Sequence, residues 1–231
     1  TSVFANPLNG PSRAQGRTYY IDFPNLRFVV IDTDQMQLFS DYSRITTWVE
    51  KVLTDTLATN KWRVVMMHHP IYSSGMNRTN PTIYAALHHQ LRHADVIFAG
   101  HDHNYSRRLI NHAESGHTKQ AVSYVLGSSD KYYLNKVNDR DDRILSAHPV
   151  IAVAQYDKHT MTIKTYQADT KTLYDKVTLR RDTTAIDYFK GAVEIIDKPE
   201  RYENKNNRSI KKFDQRRSKR LNKIGDEKET D

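Results

Sequence analysis

Strand-like runs alternate with helical patterns over the first hundred residues of the chain. β-rich runs at residues 26–32, 63–67 and 95–99 each give way to polar residues. Between the first two runs, apolar side chains recur at the spacing of one helix face, at Ile45, Trp48, Val49, Val52, Leu53 and Leu57. Between the last two, Asn80-Pro81 has the form of a helix start and predicts a helix over residues 82–93. This β-α-β-α-β order predicts an α/β fold in which helices cover a sheet.

The pattern changes beyond residue 108, where strand-like runs follow one another. Such runs occupy residues 121–126, 150–156, 161–167 and 173–179. No helical pattern separates the last three, so we expect them to pair as an antiparallel meander. From residue 183 onward the composition becomes polar and charged. The sequence therefore predicts a folded domain over residues 1–182 and a charged, partly helical or disordered tail over residues 183–231.

Two histidine clusters stand where predicted strands end. His68-His69-Pro70 follows the run 63–67, and Gly100-His101-Asp102-His103 follows the run 95–99. Ligand sites in open α/β sheets lie outside the carboxyl ends of the strands, so two imidazole clusters there predict one metal site. The chain has no cysteine. Any metal ion must therefore be bound by imidazole and oxygen, which suits zinc, iron, manganese or nickel.

The spacing within the second cluster carries a further expectation. Residues at i and i+2 of an extended segment point to the same side, so His101 and His103 are predicted to face one site with Asp102 turned away. Gly100 is expected to allow a sharp turn after the strand. The other histidines are interpreted as packed or solvated side chains.

The sequence around these clusters resembles the calcineurin-like metallophosphoesterases. Residues 64–75 and 96–107, which contain the two clusters, are similar to the second half of that catalytic domain, and specifically to the purple acid phosphatase branch. Residues 17–23 and 28–32, Trp48 and the stretch 127–133 fit the same family. The resemblance covers about residues 4–179. It implies part of a four-layer α/β/β/α sandwich with mixed sheets.

The resemblance also implies roles for individual residues. His68 and His101 match ligands of one metal ion and His103 matches a ligand of the other, while His69 occupies a variable position that lines the pocket. Arg78 stands in a region that helps to bind phosphate in purple acid phosphatases, and it could pair with a phosphate group. Two divalent or trivalent ions of iron, zinc or manganese are implied, acting together on a phosphate ester.

The family motifs that supply the remaining ligands are not found in these 231 residues. The Asp-X-His, Gly-Asp and Asn-His-Glu segments precede such a sequence in the family, and Asp32 and Asp34 match a later strand. We therefore expect a missing N-terminal half to carry the other ligands. The complete protein is predicted to be a phosphomonoesterase or phosphodiesterase, and this chain alone is expected to be inactive. The alternative is a noncatalytic, degenerate phosphoesterase domain that binds a partner.

The net charge of +8 is concentrated near the end of the chain. Eight basic residues lie in the stretch 208–223 against the single acid Asp214. Such a stretch could contact an anionic partner, but a solvated tail is the simpler interpretation, and Phe213 is its only aromatic residue, so nucleic acid is not favoured. No apolar stretch approaches the roughly 20 residues of a membrane-spanning helix. Export from the cytoplasm is implied by the resemblance alone.

Overall fold

The structure of the chain is a computed structural model. The structure describes residues 5–39, 42–75, 78–110, 121–128, 131, 133, 143–145, 148–181 and 186–188. The predicted tail over residues 183–231 lies outside this part of the chain except for one short strand, so the predicted domain boundary stays a prediction. Among the described residues, each helix is too short or too polar to span a bilayer.

The first sheet is mixed and has seven strands. Their order across the sheet is β1-β2-β3-β4-β6-β5-β7. The neighbours from β2 through β3 and β4 to β6 are parallel, whereas β1, β5 and β7 are each antiparallel to their neighbours. The strands span Tyr19–Phe23 (β1), Leu26–Ile31 (β2), Trp62–Met67 (β3), Val96–Ala99 (β4), Tyr105–Ile110 (β5), Ala121–Val125 (β6) and Arg143–Leu145 (β7). The three strands of the predicted β-α-β-α-β order, β2, β3 and β4, are parallel neighbours in this sheet.

Helices pack on one face of this sheet. They are Thr33–Phe39 (α1), Tyr42–Thr54 (α2), Thr56–Thr59 (α3), Pro81–Leu87 (α4) and a 3₁₀ helix at Gln90–His93. The predicted stripe of α2 is buried at Ile45, Val49, Val52 and Leu53, in one cluster with apolar residues of β2, β3 and β4.

The predicted stripe is wrong at one residue, Leu57. Leu57 is 66% exposed, because α2 ends at Thr54 and a new helix begins directly after Asp55. The Asp55 carboxylate accepts a hydrogen bond from the Ala58 amide at 2.7 Å, which is the usual interaction of a residue that starts a helix. The chain therefore changes direction before Leu57 can continue the apolar face of α2.

The second sheet is wholly antiparallel. Its order is β11-β10-β9-β8, built from Val150–Tyr156 (β8), Thr160–Gln167 (β9), Leu173–Arg180 (β10) and Ile186–Tyr188 (β11). The predicted meander of three strands is confirmed as β8, β9 and β10. Alternate side chains of β9 are buried, as the alternating sequence pattern requires for a sheet with one covered face.

Polar and aromatic contacts join the two sheets. The Trp62 indole donates to the Asp157 carbonyl at 2.7 Å, and the rings of Tyr105 and Tyr174 meet edge to face at 5.5 Å. Because successive side chains of a strand point to opposite faces, Trp62 lies on the face of β3 opposite to Val65 and Met67, which pack against the helices. The described residues thus form helix, sheet and sheet layers of the predicted α/β/β/α class.

Candidate metal centre

The two histidine clusters meet at the carboxyl edge of the first sheet. His68 and His69 directly follow β3, and His101 follows its parallel neighbour β4 after one glycine. The Gly100 amide donates to the His68 carbonyl at 3.0 Å, which extends the pairing of the two strands past their ends. Parallel strands end at the same edge of a sheet, and this topology therefore brings two separate sequence motifs together.

Three imidazole rings converge at this edge. One ring nitrogen from each of His68, His69 and His101 lies within 4.8 Å of the other two. His68 Nε2 and His101 Nδ1 are 3.2 Å apart. Two imidazole nitrogens bound to one tetrahedral metal ion at about 2.0–2.1 Å stand about 3.3 Å apart. The spacing of this pair therefore fits two ligands of a single ion.

His69 is held by the residues that follow β2. Its Nδ1 lies 2.9 Å from the Thr33 hydroxyl, and its backbone amide donates to the same hydroxyl at 3.1 Å. Its Nε2 lies 3.8 Å from a carboxylate oxygen of Asp34, whose side chain is 64% exposed. These contacts bury His69 beside the other two rings, and its predicted role of lining the pocket stays a prediction.

The loop after β4 is built differently from the extended segment that the sequence predicted. His101 and His103 both have left-handed backbone conformations, with φ of 67° and 52°. A residue with a Cβ atom pays about 1–2 kcal/mol for this conformation, which is tolerated where the surroundings fix it. Asp102 supplies that support, because its buried carboxylate accepts hydrogen bonds from the Ser73 hydroxyl at 2.6 Å and the Gly75 amide at 3.0 Å.

Burial and charge keep two of the rings neutral. Burial, followed by the nearby positive charge of Arg78, lowers the pKa of His101 to about 4. Burial also lowers the pKa of His69, although Asp34 opposes this shift. A neutral imidazole has a free lone pair and is the form that binds metal ions. Both rings are therefore favoured in the uncharged form, which is the charge state of a metal-binding imidazole.

The predicted site residues are only partly gathered in this cluster. Among the described residues, the group of converging ligand atoms holds His68, His69 and His101 but not His103. The His103 ring instead meets the Tyr133 ring edge to face at 5.3 Å. Arg78 reaches the cluster, with its Nη2 2.8 Å from His101 Nε2. The assignment of each histidine to one of two metal ions stays a prediction.

The sequence patterns did not predict that Thr33 and Asp34 lie next to the histidine cluster. They follow β2, which is the parallel neighbour of β3, so their position just after a strand was the available signal. The sequence alone does not show that β2 and β3 are adjacent, and the polar start of α1 gives no sign of a contact with His69. Among the described residues, Asp34 supplies the carboxylate that lies beside His69.

Gly127 supports the loop that carries His103, and its replacement by alanine should destabilise the fold. A Cβ atom at this position would lie 2.7 Å from backbone atoms of both His103 and Asn104. Overpacking against backbone costs about 1–3 kcal/mol, so we expect Gly127→Ala to lower the free energy of unfolding by that amount in urea denaturation. Gly100→Ala is the control, because its Cβ would meet no atom closer than 3.8 Å. Equal stability of the two variants would contradict the described loop packing.

Comparison with known families agrees with the fold. Residues 8–105 match the calcineurin-like phosphoesterase family, a range that includes β1 to β4 and all three converging histidines. A comparison with curated protein sequences finds no match.

Solved structures extend the agreement to most of the chain. A purple acid phosphatase, PPD1, from yellow lupin seeds (Lupinus luteus) superposes with a TM-score of 0.57 at 17% identity, over 74% of this chain and 34% of its own. GAP50 of Plasmodium, described as the anchor in the inner membrane complex, superposes with a TM-score of 0.52 at 16% identity, over 78% of this chain and 55% of its own. The chain thus spans about a third of the lupin protein and about half of the Plasmodium protein. The resemblance predicted from the two histidine motifs is confirmed: residues 8–105 match the calcineurin-like phosphoesterase family, and the fold is similar to that of a purple acid phosphatase.

Proposed function

We propose that this chain provides the histidine side of a metal centre that hydrolyses phosphate esters. The observation that carries the proposal is the convergence of His68, His69 and His101 where β3 and β4 end. The family match supports phosphoester chemistry, and the 3.2 Å spacing of His68 Nε2 and His101 Nδ1 supports a shared metal ion. Substrate and activity of the complete protein are part of this proposal.

The residues have separate roles in this scheme. His68 and His101 would hold one metal ion, His103 would serve a second ion, and His69 would line the pocket with its ring fixed by Thr33. When bound, such ions activate a water molecule and stabilise the negative charge that develops on the phosphoryl group. Arg78 would bind a phosphate oxygen, because a guanidinium group matches the geometry of phosphate.

The proposed metal centre requires further carboxylate ligands. Dinuclear phosphoesterase sites combine imidazole with carboxylates, whereas the converging group in the described part of this chain is made of imidazoles alone. The Asp34 carboxylate lies 3.8 Å from His69 Nε2 and is not among the converging ligand atoms of the described residues. We therefore infer that residues 1–231 bind metal without efficient turnover, and that a further segment completes the site.

One experiment tests both parts of this proposal. Residues 1–231 are freed of metal and titrated with zinc or manganese, and hydrolysis of p-nitrophenyl phosphate is followed at each metal concentration. We expect saturable metal binding without hydrolysis above the rate of the metal-free chain. Absence of metal binding would contradict the metal centre, whereas rapid hydrolysis with two bound ions would contradict the incomplete site.

A second candidate function is a noncatalytic binding domain. The guanidinium of Arg78 beside His101 favours it, because a cation at this place opposes the binding of a metal cation. This candidate predicts that the complete protein binds no metal ion at the histidine cluster and does not hydrolyse phosphate esters. The metal titration above, repeated with the complete protein, separates the two functions.

A further inference from the structure

Arg78 makes close contacts with the ring and the backbone of His101. Its Nη2 lies 2.8 Å from His101 Nε2 and donates to the His101 carbonyl at 2.9 Å. The guanidinium carbon stands over the Tyr133 ring at 4.3 Å from its centre. Its Nε is 3.7 Å from Asp102 Oδ1, and the side chain is 22% exposed. Arg78 is therefore held on several sides in a position that faces one candidate ligand.

The contact with Arg78 fixes where the His101 proton lies. A guanidinium group has only donors, so the nitrogen that faces it at 2.8 Å must carry the lone pair of the ring. The single proton of neutral His101 is then on Nδ1, which donates to His68 Nε2 at 3.2 Å. In this arrangement His101 offers no lone pair in the direction of His68.

A metal ion requires the opposite arrangement. An ion shared by His68 Nε2 and His101 Nδ1 needs a lone pair on each, which places the His101 proton on Nε2. Two donors, the ring N–H and the guanidinium, would then face each other at the 2.8 Å contact with Arg78. An ion bound at Nε2 would meet the guanidinium itself. Either ring nitrogen can therefore bind metal only if Arg78 moves away.

We propose that Arg78 is a latch that competes with the metal ion for His101 and is released toward substrate phosphate when the ion binds. This inference rests on the proposed metal centre. It implies that the metal ion binds first and the phosphate group binds second. Asp102 keeps the released Arg78 side chain close to the site. Its Oδ2 accepts hydrogen bonds from the Ser74 and Gly75 amides, which fixes the loop before Arg78, and its Oδ1 faces the Arg78 guanidinium.

The latch predicts opposite effects of one substitution on two ligands. Arg78→Gln removes the competing donor and a positive charge beside the metal site, so zinc affinity of the metal-free chain should rise on the order of tenfold. The same change removes the group released toward phosphate, so the affinity of the zinc-loaded chain for orthophosphate should fall on the order of tenfold. A residue with a merely structural role would lower both affinities.

Isothermal titration calorimetry of residues 1–231 measures both quantities. Lys164→Gln is the control for net charge, because Lys164 lies on β9 in the second sheet, and it should change neither affinity more than about twofold. Arg78→Lys keeps a cationic donor and should restore affinities close to those of the unchanged chain. Circular dichroism confirms that each variant is folded.

The outcomes separate the latch from the metal centre on which it rests. If zinc binds the unchanged chain but Arg78→Gln leaves zinc affinity equal or lower, the latch is wrong and the metal centre stands. If Arg78→Gln raises zinc affinity without weakening orthophosphate, release toward phosphate is wrong. If no variant binds zinc, the metal centre is wrong and the latch is wrong with it.

Discussion

His101→Ala should abolish tight zinc binding by residues 1–231. The His101 ring lies close to both other rings of the cluster. Its Nδ1 is 3.2 Å from His68 Nε2, and its ring centre is 4.4 Å from that of His69. Loss of an outer partner of a metal ligand already costs about 10–100-fold in affinity, so loss of a ligand should cost more than about hundredfold. Equilibrium dialysis against zinc, with metal counted by atomic absorption, measures this effect.

His159→Ala is the matched control for this experiment. His159 is exposed in the turn between β8 and β9 and does not belong to the converging group. Its replacement should leave zinc affinity unchanged. If His101→Ala binds zinc as tightly as His159→Ala does, the ion is held elsewhere and the proposed centre is wrong.

Asp175→Asn should destabilise the fold by about 3–5 kcal/mol. The Asp175 carboxylate joins the two sheets, because it accepts hydrogen bonds from Arg107 Nε at 2.6 Å and the Tyr105 hydroxyl at 2.5 Å. All three side chains are fully buried. Burial raises the pKa of Tyr105 well above its usual range, so the phenol keeps its proton and donates. Asp175→Asn removes the negative charge from a buried ion pair, and breaking such a pair at one partner is strongly destabilising.

The free energy of unfolding in urea measures this prediction. Asp169→Asn provides the comparison, because Asp169 accepts from His148 at 3.0 Å but has a side chain that is 43% exposed. An exposed pair contributes about 0–1 kcal/mol. A loss of less than about 1 kcal/mol in Asp175→Asn would show that the pair does not hold the sheets together.

Runs of apolar and β-branched residues predicted the strands of the second sheet. The predicted and observed ranges of β8, β9 and β10 agree to within a residue at each end, although only β9 buries strictly alternate side chains and β8 is mostly exposed. The helix α1 was missed, because Met36 is the only buried apolar residue among residues 33–38, whose side chains the structure describes, in a short polar sequence. The strand β5 was missed because Ser106, Arg107 and Arg108 suggest a solvated loop, whereas Asp175 makes Arg107 compatible with burial.

The sequence likewise predicted only part of the candidate site. The motifs predicted that His68 and His101 would share one metal site, because both follow predicted strands and ligand sites in open α/β sheets lie outside the carboxyl ends of the strands. They predicted an extended segment from His101 to His103, but both residues adopt left-handed conformations. The contacts of His69 with Thr33 and of His101 with Arg78 depend on long-range packing of loops. No local pattern encodes such contacts.

Anomalous X-ray diffraction from crystals of the zinc-loaded chain tests the central claim most directly. Data collected at the zinc absorption edge locate the ion without reference to any assumed ligand. We expect a peak within bonding distance, about 2.0–2.1 Å, of His68 Nε2 and a ring nitrogen of His101, with Arg78 displaced from the His101 ring. A peak at other histidines such as His89 or His148, with the His68 and His101 rings free of metal, would contradict it.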